Sequence, residues 1–451
     1  MKAEAEMNQT VTGKESRLWN AMHKHNPDAK ATVAVSGEGS WFTDEEGNQY
    51  LDGVSGLWCL NLGYGRQEIV DAAAEQMKKL SYFPLTMNHQ PAIQLADKLS
   101  ELLEADYQTF FSNSGSEANE TAFKIARQYH MQTGNPGKYK FISRYRAYHG
   151  STMGAMSATA QANRRVKYDP SAPGFLHVAP PYSYRSLFSG SAEEKDLRAA
   201  DEMEEMIKWE GEETVAAVIM EPFISGGGVI IPSMKYIQRV ADICEKYNVL
   251  LIMDEVVSGF GRTGKMFGFK HTAGVQPDIV TMAKGLTSGY LPLGATSVKA
   301  EIYEAFKQEG KDNHLRHVST YGGHPAACAV GLKNIEIIEK EKIVDRVNEL
   351  GNSKLIELHD LMNHKHVGEV RQAGFLLGLE MVNDKTTKEP LSEAKMGEIV
   401  GACKQKGLVI GKNGDTVPGG NNILIIAPPL TSSEEDLNFI IETVSSVMHS
   451  M

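Results

Sequence analysis

Apolar and polar positions alternate along this chain in two distinct textures. "TVAAVIMEPF" (214–223) and "NVLLIMDEVV" (248–257) are continuous apolar runs of strand length, the pattern of strands covered on both faces. Between them, "PSMKYIQRVADICEKYN" (232–248) places Tyr236, Val240, Ile243 and Tyr247 at helical spacing. Strand, helix, strand in that order predicts a right-handed crossover and a parallel α/β sheet. The same alternation runs from about residue 65 to about residue 320. Earlier, "GSWFTDEEGNQYLDGVSG" (39–56) reads as a β-hairpin, with Trp41 and Phe42 before a turn at Glu46-Gly47-Asn48 and Tyr50 and Leu51 after it. Beyond residue 326 come long amphipathic helices, strands within "VGEVRQAGFLLGLEMV" (367–382) and a closing helix from about residue 433. The organisation expected is a large domain over 65–325 and a smaller α+β domain over 326–451, which the N-terminal segment 1–64 joins.

Composition narrows the class. The chain has 451 residues and a formal net charge of −11, which argues against a general affinity for nucleic acid or anionic membrane. Apolar runs such as 249–253 are too short to span a bilayer, and the polar N-terminus lacks the apolar core of a signal peptide. Cys59, Cys244, Cys328 and Cys403 lie far apart with no C-x-x-C pair, so neither a disulfide framework nor a zinc site is expected, and no metal. A cytoplasmic location is the expectation.

Polar residues at the ends of apolar runs carry the candidate chemistry. In "PDIVTMAKGL" (277–286), Ile279, Val280 and Met282 form a short strand pattern that ends at Lys284. A lysine is costly to bury as an ammonium, and desolvation lowers its pKa toward the neutral amine that condenses with an aldehyde. Asp254 ends the run "LLIMD" 30 residues earlier, at the sheet edge where open α/β folds bind ligands. It suits a protonated ring nitrogen, and equally a local backbone donor or Arg262. In "FFSNSGSEANETAFKIAR", Ser114-x-x-Glu117 has the form of a capping box before a helix with Ala118, Ala122, Ile125 and Tyr129 on one face. Backbone N–H groups of Ser114, Gly115 and Ser116 at that helix start suit a phosphate, although an ordinary capped helix reads the same way. "RAYHGST" adds Tyr148 and His149 after a strand, an aromatic that either stacks on a planar ligand or simply packs. Gly259-x-Gly261-x-x-Gly264 matches a dinucleotide-binding fingerprint in letters only, because no helix pattern follows it. A phosphate turn, an acid for a ring cation and a lysine for an aldehyde are together the three handles of pyridoxal 5'-phosphate.

With "IMDEVVSGFGRTGKMFG", "PDIVTMAKGL", "SNSGSEANETAFKIAR", "YHG" and "STYGGHP", the chain resembles the class III (subgroup II) aminotransferases. The resemblance implies fold type I: an α/β large domain with a mostly parallel seven-stranded sheet, and a smaller α+β domain. It implies that Lys284 holds the cofactor as a Schiff base and shuttles the proton between Cα and C4′. Asp254 would pair with the ring nitrogen and Tyr148 stack on the ring. Ser114, Gly115 and Ser116 would bind the phosphate, with His149, Glu221 and Val256 completing the cradle. Thr320 would reach the phosphate of the neighbouring subunit, which implies a homodimer, or a dimer of dimers, with shared sites. "GLWCLNLGYGR" and "GKNGDTVPGGNN" resemble the ω-amino acid:pyruvate and taurine:pyruvate branch. That implies ping-pong transfer from an ω-amino acid, amine or taurine to pyruvate, giving alanine. Trp19, Trp58, Phe83 and Lys412 are the substrate-side residues implied. The chain departs from many ω-transaminases by having Gly411, with Lys412 beside it, where they carry an arginine for the substrate carboxylate. Diaminopelargonate aminotransferases, which tend to have two adjacent tryptophans at Trp58-Cys59, and aminomutases or decarboxylases on the same fold are the alternatives.

Overall fold

The computed structural model describes residues 17–22, 32–310, 312–413 and 416–451. The chain enters through an antiparallel meander, β1 (Ala34–Glu38), β2 (Trp41–Asp44) and β3 (Gln49–Asp52). The expected turn forms because the Asp44 carboxylate accepts the N–H groups of Glu46 and Asn48.

Seven further strands make the central sheet: β4 (Tyr107–Ser112), β5 (Lys140–Arg144), β6 (Phe175–Val178), β7 (Val215–Met220), β8 (Leu250–Asp254), β9 (Ile279–Met282) and β10 (Gly294–Lys299). Their spatial order is β4-β10-β9-β8-β7-β5-β6. Only β10 runs against its neighbours, so the other six strands share one direction. Every residue of β7, β8 and β9 is buried, which is why these segments read as unbroken apolar runs. Helix α1 (Gly115–Gln132) follows β4, and α2 (Met234–Lys246) makes the crossover from β7 to β8 with Tyr236, Val240 and Ile243 buried. Asn113, Tyr148, Glu221, Asp254 and Lys284 all lie at or just past the carboxyl ends of parallel-running strands, and so reach one sheet edge. The glycines at 259, 261 and 264 sit in a run of turns followed only by a short 3-10 turn, Gly268–His271, and not by the α-helix a dinucleotide fingerprint needs.

The C-terminal region builds a second sheet from β11 (Val367–Ala373), β12 (Leu376–Asp384), β13 (Glu389–Pro390), β15 (Gly411–Lys412) and β16 (Ile423–Ile426). Between them, β14 (Leu408–Val409) pairs in parallel with β3 and extends the N-terminal meander. Trp41 Nε1 also donates to Asp436 in the closing helix, α3 (Glu434–His449), at 2.7 Å.

Arg262 joins three stretches of chain. Its side chain is fully buried and faces no carboxylate; it donates to the carbonyls of Phe375 and Pro428, to Ser55 Oγ at 3.1 Å and to Asn61 Oδ1 at 3.0 Å. Arg262→Ala strands several buried acceptors, each costing about 1–3 kcal/mol. A loss of several kcal/mol is expected in chemical denaturation.

Asp196 gives a pH-dependent counterpart. Its Oδ2 accepts the Ser233 N–H at 2.7 Å while Oδ1 has no partner, and burial pushes its pKa up from 3.8 to about 6. The folded state therefore binds this proton more tightly than the unfolded chain. Its contribution is fully present below pH 3.8 and is lost as pH rises toward about 6. Asp196→Asn should flatten stability across that window in denaturation curves taken at successive pH values.

Candidate active site

The carboxyl edge of the sheet opens on a cavity of about 520 Å³, a volume suited to a cofactor and a small substrate. At one end lies the start of α1. Ser114 Oγ accepts the Glu117 N–H at 3.2 Å, which is half of the expected capping box. The other half differs from expectation: the Glu117 carboxylate accepts Asn113 N at 2.8 Å and Asn113 Nδ2 at 2.9 Å instead of turning to Ser114. The N–H groups of Gly115 and Ser116 have no acceptor among the described residues, and both residues line the cavity. A Cβ at Gly115 would stand 2.9 Å from Val256 Cγ2, so only glycine lets the turn seat on that side chain. Gly150 opposite has φ +140°, and a Cβ there would meet Ser116 Oγ at 2.5 Å.

Asp254, 3% exposed at the end of β8, has a full set of donors. Its Oδ2 accepts His149 Nδ1 at 2.8 Å and Asn119 Nδ2 at 2.9 Å, and its Oδ1 accepts Val256 N at 3.1 Å. Because the carboxylate only accepts, Nδ1 of His149 carries the proton. The buried Nε2 of that ring has no partner. Glu221, just after β7, accepts the N–H groups of Tyr148 at 3.1 Å and Ser225 at 2.9 Å. Burial pushes its carboxyl pKa up, with His149 opposing the rise and Asp254 adding to it.

Lys284 follows β9 in a left-handed conformation (φ +46°), which a non-glycine residue adopts at a cost. That backbone turns its half-buried side chain into the cavity, where Nζ lies 5.0 Å from the centre of the Trp58 ring and has no hydrogen-bond partner among the described residues. Burial lowers its pKa, against the opposing pull of Cys59, Asp254 and Glu221. The amine is thus poised toward its neutral, nucleophilic form.

The cavity collects Ser114, Gly115, Ser116, Tyr148, His149, Glu221, Asp254, Val256, Lys284, Trp58 and Lys412. Trp58 lines the cavity beside the lysine. Three expected residues lie apart from this lining. Trp19 is 94% exposed, and it is Met22 from the same short stretch that reaches the cavity. Phe83 is half-buried outside it, and Thr320 is exposed, its carbonyl accepting Tyr82 Oη at 2.8 Å. The strand and turn patterns could not single out Asn119 or Arg164, which also line the cavity. Asn119 interrupts an apolar helix face, a faint signal, and Arg164 comes from a short loop helix with no pattern to mark it.

Two N–H groups at a helix start and a lysine amine, none with a partner among the described residues, a buried carboxylate at a strand end and the Tyr148 ring at the cavity wall fit the phosphate, aldehyde, ring nitrogen and ring of pyridoxal phosphate. The family model for aminotransferase class-III matches residues 22–448. The chain belongs to the class-III aminotransferases. These enzymes use pyridoxal phosphate, and this member is an aminotransferase. It is 55% identical over 440 residues to the uncharacterized aminotransferase YhxA of Bacillus subtilis, covering 97% of this chain and 96% of that one. It is 42% identical to a taurine–pyruvate aminotransferase of Bilophila wadsworthia, covering 94% and 93%. Among solved structures, the pyridoxal-phosphate-bound amine transaminase of an uncultivated Pseudomonas species superposes with a TM-score of 0.92 at 33% identity, covering 97% of this class-III chain and 99% of the other. The sheet order described above is therefore that of fold type I.

Proposed function

We propose that this class-III aminotransferase moves an amino group from an ω-amino acid, a primary amine or taurine to pyruvate, forming alanine in a ping-pong sequence. When bound, pyridoxal phosphate supplies an aldehyde that condenses with amines and a ring that accepts electrons from the substrate carbon. The chain's own residues do the rest. Gly115 and Ser116 hold the phosphate with backbone N–H groups, backed by the positive end of the α1 dipole. Tyr148 covers one ring face, and Asp254 keeps a proton on the ring nitrogen. Lys284, whose amine has no partner among the described residues, would take up and return the proton released at the substrate carbon. Thr320 serves the phosphate of a second copy, in keeping with the exposed Tyr82, Val318 and Tyr321 around it.

The observation that carries the choice of a keto-acid acceptor is Arg164. Its guanidinium carbon lies 5.5 Å from the centre of the Tyr148 ring, and among the described residues its buried Nε has no partner and its NH1 nitrogen reaches only Met22 Sδ, at 3.1 Å. A cavity guanidinium left so poorly paired fits the carboxylate of pyruvate in a forked geometry. Gly411 offers no cation, and a Cβ there would already stand 3.1 Å from Val54 Cγ1. The exposed Lys412 is a second cation at the same cavity. Arg164→Gln is expected to raise KM for pyruvate roughly 10- to 100-fold, the worth of a hydrogen bond to a charged group, with the melting temperature little changed.

Amino donors assayed against pyruvate, with taurine, β-alanine, diaminononanoate and 1-phenylethylamine in the panel, test the whole reading. Donor alone should bleach the yellow holoenzyme, and pyruvate should then restore the colour with release of alanine. A colour that survives every amine, with no alanine formed, overturns it.

A further inference from the structure

Asn119 is fully buried on α1, one turn after the phosphate-binding end, and all of its hydrogen-bonding capacity is directed at the site. Nδ2 donates to Asp254 Oδ2 at 2.9 Å and to the His149 carbonyl at 2.7 Å. Both partners only accept, which settles the orientation of the amide. Oδ1 accepts Thr281 Oγ1 at 2.7 Å, and Thr281 lies on β9 three residues before Lys284. One side chain thus ties the helix at the phosphate end to the ring-nitrogen acid, to the loop carrying Tyr148 and His149, and to the strand that aims the lysine. Its neighbours one turn further along the helix, Ala122 and Phe123, are buried and apolar. A buried amide among them is costly unless each polar atom is satisfied, and here each is.

We propose that Asn119 is a positioning residue for amino transfer, fixing the Asp254 carboxylate, and hence the negative charge opposite the cofactor's ring nitrogen, relative to Lys284. The inference rests on the reading that Asp254 pairs with that nitrogen. His149 and Val256 supply the other donors to Asp254, but only Asn119 also grips β9. An isosteric Asn119→Asp would set a second carboxylate against Oδ2 of Asp254 and against the His149 carbonyl. Like charges so close force one of them to take up a proton, which weakens the grip of Asp254 on the ring-nitrogen proton.

The test uses holoenzyme carrying Asn119→Asp, Asn119→Ala or Thr281→Val, with Asp254→Asn as control. It follows the visible absorbance of bound cofactor against pH, pyridoxal phosphate affinity of the stripped protein, and kcat and KM separately. Asn119→Asp is expected to move the absorbance midpoint by about one pH unit or more, as a neighbouring charge does. It should also lower kcat roughly ten-fold or more while leaving KM for pyruvate within about two-fold, the signature of an interaction felt after substrate binding. Thr281→Val, which removes only the outermost bond, should move both quantities the same way by less, and serves if the Asn119 variants fail to fold. Variants that lose thermal stability but keep the parent absorbance titration and kcat overturn the proposal. An Asp254→Asn control with an unshifted titration overturns the reading of Asp254 itself.

Discussion

Lys284→Ala is expected to lower amino transfer by at least roughly 10³- to 10⁴-fold, because one side chain performs two tasks whose individual contributions are large. On the reading proposed above, the amine would anchor the cofactor and would carry the proton released at the substrate carbon. Neither other cation in the cavity's described lining offers a substitute: Arg164 is a guanidinium and not an amine, and Lys412 is exposed. Borohydride reduction of the parent protein followed by peptide mapping should label Lys284, and the alanine variant should take no label there. Thermal stability should hold or rise in the variant, since a desolvated amine is a cost to the folded state that alanine removes. A variant that keeps near-parental turnover, or a label found on another lysine, would remove Lys284 from the chemistry.

Asp254→Asn carries the second large effect, a loss of roughly 10²- to 10³-fold in kcat, the scale seen when one preorganised electrostatic partner is removed. The substitution keeps the shape and leaves the neighbouring donors in place, so the fold should survive. What it removes is the charge. His149 Nδ1 and Asn119 Nδ2 would still donate to the remaining oxygen, now neutral, the new NH2 would face the Val256 N–H, and nothing would hold the proton on the ring nitrogen. The measurable outcomes are reduced kcat with a changed visible absorbance titration. Cofactor affinity should fall less than it does when the phosphate turn is disrupted, because the Gly115 and Ser116 N–H groups are untouched. Equal kcat in variant and parent would contradict this role.

Much of this architecture is legible in the chain because a strand buried on both faces must be apolar throughout. A polar residue at the end of such a run therefore stands out, and Asp254 and Lys284 were visible on that ground alone. The strand–helix–strand order around α2 likewise dictated parallel neighbours, and β7 and β8 are paired as that logic requires. The capping pattern at Ser114 located the phosphate turn, although the second half of the box went to Asn113, whose backbone and side chain together offer Glu117 two donors.

Residues that act through a contact across the fold were less legible. Asn119 is one polar letter on an apolar helix face, and its meaning comes from Asp254 and Thr281, 135 and 162 residues away. Arg164 belongs to a short helix in a connection, where no periodicity marks a side chain as inward or outward. Trp19 and Met22 lie three residues apart in one stretch of chain, and only their placement against the cavity separates them. The chain by itself thus determined the fold type and the cofactor chemistry, since periodicity and burial are properties of local sequence. Only the tertiary structure decided which cations line the cavity and what holds the acid in place, because those depend on directions that side chains acquire when distant segments pack.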